Sequence, residues 1–380
     1  MNDRMLIATT VPATIRSFLL PFAAHFRSTG WRVDAMARGL TDSEGCAAHF
    51  DRVWDVPWSR NPLDPSNLLR ASARVRALVV AEGYRIVHVH TPVAGFVVRY
   101  ALRGLRGDLR PKVVYTAHGF HFYRGGPALR NALFLGLERL AGRWTDRLVV
   151  INREDEAAAV RHRLLPADRV RYMPGIGVDT AALRPSPALD EAAGRARDEL
   201  GVPPSAPMFL QVAEFIPRKR HGDAVRAFAG LGPSDARLVF AGQGPTMAAT
   251  RALAGSLGVG ARVHFLGQRG DVPALVRAST AVLLPSAQEG LPRSAMEALA
   301  LERPVIGSDI RGIRDLLEGG AGILVRVGDV DGLGRAMRQL IDEPDRAGAM
   351  GRLGRDRVAA LDTARIIREH EDLYAEVSKD

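Results

Sequence analysis

Two carboxylates, Glu289 and Glu297, stand eight residues apart in PSAQEGLPRSAMEALALERPVIGSD, residues 285–309. A carboxylate only accepts hydrogen bonds and can hold two vicinal hydroxyls at once, so a pair at this interval suits a sugar and a ribose. Acids near helix starts also serve as plain caps or solvated helix residues, and that reading competes. A second cluster, Arg218, Lys219 and Arg220, lies in VAEFIPRKRH, residues 212–221, at the expected start of a helix. Cations there oppose the helix dipole and an anion would relieve the opposition. A diphosphate fits, with Lys219 as the point charge and Arg218 or Arg220 as a second contact. A solvated basic turn is the bland alternative. His118 opens HGFHF, residues 118–122, and is followed by Gly119, which admits a ligand close to the backbone. A neutral imidazole there hydrogen-bonds a sugar hydroxyl, acts as a base, or is a satisfied structural residue. His88 and His90 in VHVHTP share one strand face, but no carboxylate stands ready to complete a metal site, and none is expected.

These residues need elements to position them. Short β-branched runs alternate with amphipathic stretches along the whole chain, the pattern of βα repetition and parallel sheets. Strands are expected at Met5–Ala8, Trp31–Ala37, Ile86–His90, Val113–Thr116 and Arg147–Ile151. A second series follows at Met208–Ala213, Arg237–Ala241, Val263–Leu266, Ala281–Leu284, Val305–Ser308 and Ile323–Val325. Between the two, residues 173–190 hold three prolines and two glycines without periodicity, so the chain is expected to cross between domains near residue 185. That makes an N-terminal domain of residues 1–185 and a C-terminal domain of 186–380. The last helical segment, from about Arg346 to Val377, is longer than the second sheet needs, and its end, about 360–380, is a candidate to reach back to the first domain. Ligands of open parallel sheets bind beyond the carboxyl ends of the strands. Those ends carry Thr9, Thr10, His90, Thr91 and His118 to His121 in the first domain, and Glu214 to Arg220, Gly242 to Gly244, Ser286 to Glu297 and Asp309 to Gly312 in the second. Polar strand ends on two domains facing one cleft are what an enzyme closing on two substrates requires. GQG at 242–244 lacks the third glycine and distal acid of a dinucleotide fingerprint, and Asp329 in DVD reads as a helix cap.

Composition bounds the function classes. The 380 residues are 47% hydrophobic and 25% charged, which excludes a disordered chain, and Cys46 is the only cysteine, which excludes an internal disulfide or a thiolate zinc site. A reducing compartment fits, and the opening MNDRMLIATTVPATIRSFLLPF has no apolar run of signal-peptide type. Residues 1–190 hold 27 Lys and Arg against 17 Asp and Glu, whereas 191–380 hold 25 against 25, so the whole net charge of +10 sits in the first half. A basic half points to a polyanionic partner. Aromatic residues are only 6% of the chain and no nucleic-acid motif is present, so nucleic acid is not expected as a partner. Arg99, Arg103, Arg106 and Arg110 would share one face of a continuous helix, and Ala128–Trp144 sets Leu129, Leu133, Phe134, Leu137 and Leu140 beside Arg130, Arg139 and Arg143. Such surfaces lie on an anionic bilayer or simply pack on the sheet with solvated arginines outside.

EGLPRSAME, residues 289–297, followed by PVIGSDIRGIRDLL, resembles the E-x7-E region of family 4 glycosyltransferases. HVHTPVAGF, YTAHGFHFYRG, TDRLVVINRED and MPGIGVD resemble the branch that builds polyprenyl-diphosphate-linked glycans, and the likeness runs over nearly the whole chain. The resemblance implies the GT-B fold, two Rossmann-like α/β domains. It also implies retaining transfer from a nucleotide sugar, with UDP the commonest base, and no cofactor or metal. Under it, Glu297 would hold the ribose, Glu289 would contact the sugar near C3 or C4 and stabilise an oxocarbenium-like transition state, and Lys219 would hold the diphosphate beside the Gly290 and Leu291 N–H groups. Ser294 would join the donor site. His118 would contact the transferred sugar from the opposite domain, and Thr9, Thr10, His90, His121 and Arg124 would meet the acceptor. The expected mechanism is front-face attack within an ion pair.

Two departures from the family pattern bear on this. The usual basic pair is Arg and Lys five apart, but Glu214 stands in the first position, so either Arg218 compensates or Glu214 is used differently. The usual Gly-rich loop after the first strand is replaced by TTVPATIRSF, which shifts weight toward a lipid-linked acceptor, and the E-x7-E resemblance with the basic first half implies a protein peripheral to the inner face of the cytoplasmic membrane. The competing readings are a family 4 enzyme with a soluble or other lipid acceptor, and a sugar-nucleotide epimerase of the same fold.

Overall fold

The computed structural model describes residues 3–43, 45–59, 61, 64–123 and 125–379. The chain divides into two compact units, the first running to Ile176 and resumed from Ala364, the second spanning Gly177–Thr363. The crossing thus lies inside the Pro/Gly-rich stretch 173–190, ahead of residue 185.

The N-terminal unit is built on seven strands: β1 (Arg4–Ala8), β2 (Arg32–Ala37), β3 (Arg52–Asp55), β4 (Ile86–His90), β5 (Lys112–Ala117), β6 (Arg147–Val150) and β7 (Val170–Tyr172). The sheet order is β3-β2-β1-β4-β5-β6-β7, with every pair parallel. The C-terminal unit has six strands: β8 (Met208–Val212), β9 (Arg237–Ala241), β10 (Val263–Phe265), β11 (Ala281–Leu284), β12 (Val305–Ser308) and β13 (Gly322–Val325). Their order is β10-β9-β8-β11-β12-β13, again all parallel. Each sheet is covered on both faces by apolar clusters, which is why the inner strands read as near-continuous apolar runs such as AVLL.

Strand order reverses between β1 and β4 in one unit and between β8 and β11 in the other. At such a switch point neighbouring loops leave in opposite directions and open a crevice. His90 ends β4, Thr9, Thr10 and Thr91 follow the first pair of strands, and Glu214–Arg220 and Ser286–Glu297 follow the second.

The last helical segment is two helices, Pro344–Val358 and Thr363–Val377. Asp362 breaks it. This residue bridges to Val178, and its carboxylate accepts from the Thr180 N–H at 3.2 Å and hydroxyl at 2.6 Å. The terminal helix returns to the N-terminal unit and buries Ile366, Ile367, Leu373, Tyr374 and Val377 against Met5, Ile7, Phe22, Phe26 and Val114.

Candidate active site

In the C-terminal unit the β8 loop folds as a tight turn, Pro217–Lys219, ahead of the helix His221–Ala229, with Arg220 left-handed at φ 53°. The β11 loop enters the helix Arg293–Ala300 through Pro292. The two loops are tied together: the Ala287 N–H donates to Arg218 O at 2.8 Å, and Arg218 Nη1 donates to Gln288 O at 3.1 Å. Gln211, fully buried on β8, donates from Nε2 to Lys219 O at 2.9 Å and so fixes the turn from below. Lys219 Nζ then lies 2.5 Å from Glu289 Oε1, and Arg218 Nη1 lies 3.7 Å from Oε2. Glu289 is only 8% exposed and Lys219 is largely covered, so this ion pair is shielded from water, while Arg218 remains exposed beside it.

Glu297 sits one turn into its helix, where its carboxylate accepts from Arg293 Nε at 2.7 Å. Burial raises the Glu297 pKa, and Arg293 pulls against that rise. Among the described residues, no backbone carbonyl takes up the Gly290 or Leu291 N–H groups, and Ser294 is half-buried beside them. Gly312 lets the β12 loop close on the β11 loop: at φ 75°, a Cβ there would stand 1.7 Å from Gly290 O. Three buried polar atoms at the ends of adjacent strands also have no partner among the described residues, namely Gln211 Oε1, Ser286 Oγ and Ser308 Oγ. Buried polar groups are nearly always satisfied, so these mark where a polar ligand is expected.

In the N-terminal unit the strand ends are more self-contained. Thr9 is buried and donates to Val11 O at 2.9 Å. Thr10 shares a 2.7 Å hydrogen bond with the Thr91 hydroxyl, which also accepts from the Thr10 N–H at 2.9 Å. Both threonine side chains are therefore engaged within the fold. Thr91 holds φ 66°, a costly conformation for a β-branched residue, at the start of the helix Pro92–Leu102. His90 is buried and shares a 3.0 Å hydrogen bond, Nδ1 to Nε2, with half-buried His118. His121 packs on Phe134 with ring centroids 5.0 Å apart, and Arg124 lies outside the described residues.

Comparisons with known proteins agree on what such a chain is. Residues 194–357 match the model for glycosyl transferases group 1, and residues 17–182 match that for glycosyltransferase family 4. EpsD of Bacillus subtilis, whose name is that of a glycosyltransferase, is 32% identical over 99% of this chain and 97% of its own. The chain is a family 4 glycosyltransferase.

Other relatives of this glycosyltransferase differ in acceptor. The N-acetyl-alpha-D-glucosaminyl L-malate synthase of Bacillus anthracis is 27% identical over 87% of this chain and 85% of its own. The Escherichia coli UDP-Gal:alpha-D-GlcNAc-diphosphoundecaprenol alpha-1,3-galactosyltransferase is 28% identical over 70% and 68%. The fold is that of GT-B enzymes: the crystal structure of Anabaena HepE with UDP and glucose superposes with a TM-score of 0.81 at 19% identity, covering 98% of this chain and all of that one.

Glu214 is exposed at the end of the β8 strand run. Sequence reasoning passed over Gln211, whose signal is a lone amide in an apolar strand, and Asp155. The latter is buried and accepts from the Phe120 N–H at 3.1 Å, while Asn152 caps the same helix at 2.8 Å, so the INRED run supports the HGFHF loop. Asp329 does cap its helix, accepting from the Gly332 N–H at 2.7 Å. The arginine stripe needs correction. Its helix ends at Leu102, and Arg99 is buried over the Tyr115 ring at 3.9 Å and paired with Glu138 at 2.9 Å. Arg103 stacks on Tyr100 and Arg110 pairs with Asp146, so the four present no common basic face.

Proposed function

We propose that this glycosyltransferase moves a hexose or N-acetylhexosamine, with retention, from a UDP-sugar to a polyprenyl-diphosphate-linked saccharide at the inner face of the cytoplasmic membrane. The observation that carries the donor half is the Lys219–Glu289 pair at 2.5 Å with Arg218 beside it. As the glycosidic bond breaks, positive charge grows on the sugar and negative charge on the departing diphosphate. A fixed carboxylate next to a fixed ammonium matches that charge separation, and in a dry site it does so without solvent reorganisation. Lys219 and Arg218 meet the diphosphate and the Gly290 and Leu291 N–H groups add donors. Glu289 faces the sugar and Glu297 the ribose, which requires Arg293 to release or share its carboxylate. The arrangement assigns charge neutralisation to this chain's own cations, so the reading includes no resident metal or cofactor.

The acceptor half rests on the E. coli relative and on the helix Ala128–Gly142. Its Leu129, Leu133 and Leu140 are 86%, 47% and 41% exposed, one stripe at helical spacing, with exposed Arg130 and Arg139 on its flanks and Arg143 just beyond its end. That outward apolar face among arginines fits an anionic bilayer surface. No helix among the described residues is long and apolar enough to cross a membrane. A second reading, transfer to a small soluble acid, is favoured by the malate-using relative, which matches more of the chain than the E. coli one.

Thermal-shift titration with UDP, GDP, ADP and TDP tests the donor site. UDP is expected to raise Tm for the native chain, and Lys219→Ala and Glu297→Ala are expected to weaken that stabilisation by about 1.5–3 kcal/mol, the usual size for hydrogen bonds to charged groups. A Tm rise that both substitutions leave intact would overturn the assignment. Radiolabel transfer to a polyprenyl-diphosphate saccharide against transfer to malate then separates the two acceptors.

A further inference from the structure

His90 ends β4, and its register partner on β5 is Thr116, which brings it level with the turn that carries His118. The ring is 3% exposed, and its two nitrogens differ sharply: Nδ1 meets His118 Nε2 at 3.0 Å, while Nε2 is buried without any partner among the described residues. Among the described residues, the ionisable groups acting on it are histidines, His88, His118 and His370. His88 lies against it with ring centroids 4.1 Å apart, but both nitrogens of His88 are committed, Nδ1 to the Tyr374 hydroxyl at 2.5 Å and Nε2 to the Thr116 hydroxyl at 2.7 Å. His370, on the terminal helix, commits Nδ1 to Ile366 O at 2.8 Å. Among the described residues, nothing is placed to accept a proton from His90 Nε2.

A neutral imidazole has a single N–H. On Nε2 it would be a buried donor with no acceptor, which folded proteins very rarely leave; on Nδ1 it makes a good hydrogen bond and leaves only a bare lone pair unpartnered. Burial keeps this cluster neutral, with His118 and His370 pushed down to about 4 and His88 and His90 held well below the ordinary histidine value. We propose that His90 is a positioning residue whose Nδ1–H donates to His118 Nε2, locking His118 as the Nδ1–H tautomer. His118 then presents a hydrogen-bond donor, not a base, to an oxygen of the transferred sugar. The second half of this statement rests on the sugar-transfer reading above; the first half does not.

The test is long-range 1H–15N correlation on the full chain with 15N-labelled histidine at pH 7, for the native protein, His90→Asn and His90→Leu. The Asn amide N–H₂ takes the place of Nδ1–H, whereas Leu offers no donor. His118 is expected to be protonated on Nδ1 in the native protein and in His90→Asn, and to shift toward the Nε2–H form in His90→Leu. Transfer kcat/KM is expected to fall about tenfold in His90→Leu and to recover at least half-way, on a logarithmic scale, in His90→Asn, as befits one oriented hydrogen bond. An Nε2–H signal for His118 in the native protein overturns the proposal, and that spectrum needs no variant to fold. Equal losses of kcat/KM in both variants also overturn it. Native protein with the expected tautomer but no transfer from any nucleotide sugar would instead sink the sugar-transfer reading and leave the His90–His118 bond standing.

Discussion

At the scale of single residues, the site depends as much on what lies beneath it as on the charges it shows. Lys219 reaches Glu289 because Gln211, a strand residue with no exposure, clamps the turn that carries it. Gln211→Leu conserves the volume, removes the clamp and eliminates an unpartnered Oε1. Stability should therefore change by less than about 1 kcal/mol while UDP affinity falls by about 1–2 kcal/mol, one hydrogen bond's worth of misplacement. Isothermal titration beside thermal denaturation measures the two separately, and a variant with lost stability and native affinity would contradict the role. The charged members of this site were legible from the chain alone, since Lys219 and Glu289 follow apolar strands and stand where loops gather. Gln211 was not, because an amide inside MFLQV looks like any interruption of a buried run until its partner eight residues on is known. The His90–His118 bond was hidden for a related reason: it depends on the register of β4 against β5, which residue spacing does not encode.

The elements repeat this lesson at larger size. Among the described residues, eleven of the thirteen strands were readable, because a strand buried on both faces must be a run of apolar residues. The two that escaped, β3 and β7, are edge strands, and RVWD carries its charges outward as edges commonly do. The break at Asp362 was also invisible, since the residue stops the helix through contacts with Val178 and Thr180 far back in the chain. Across that break, the terminal helix seals a cluster of four neutral histidines, His88, His90, His118 and His370. Unfolded histidines titrate near 6.5, these do so lower, and so the unfolded chain binds more protons as the pH falls. Stability held above pH 6.5 should then drain away between about 6.5 and 4, at up to about 1.4 kcal/mol per pH unit for each histidine. Urea denaturation at pH 7.5, 6 and 5 checks this, and His370→Leu should flatten the slope. An unchanged slope in that variant would mean the cluster is not what makes the fold acid-sensitive.

For the whole molecule, the uneven charge becomes decisive. A surplus of ten positive charges confined to residues 1–190 accompanies an outward leucine stripe on the helix Ala128–Gly142 of the same unit. Flotation with vesicles of phosphatidylglycerol should recover the protein at low salt and release most of it at 0.5 M NaCl, where the Debye length is only about 4 Å. Leu129→Ser with Leu133→Ser should weaken recovery without altering UDP binding, and an undiminished recovery would move the membrane contact elsewhere. The returning helix has a further consequence, for how the protein is made. The segment from Ala364 onward completes the core of the N-terminal unit, so the earlier of the two units to leave the ribosome cannot close until the whole of the C-terminal unit, Gly177–Thr363, has been made. Synthesis and completion thus run in opposite order, and a chain stopped after Thr363 would keep the β8 and β11 loops and open the half that was translated earlier.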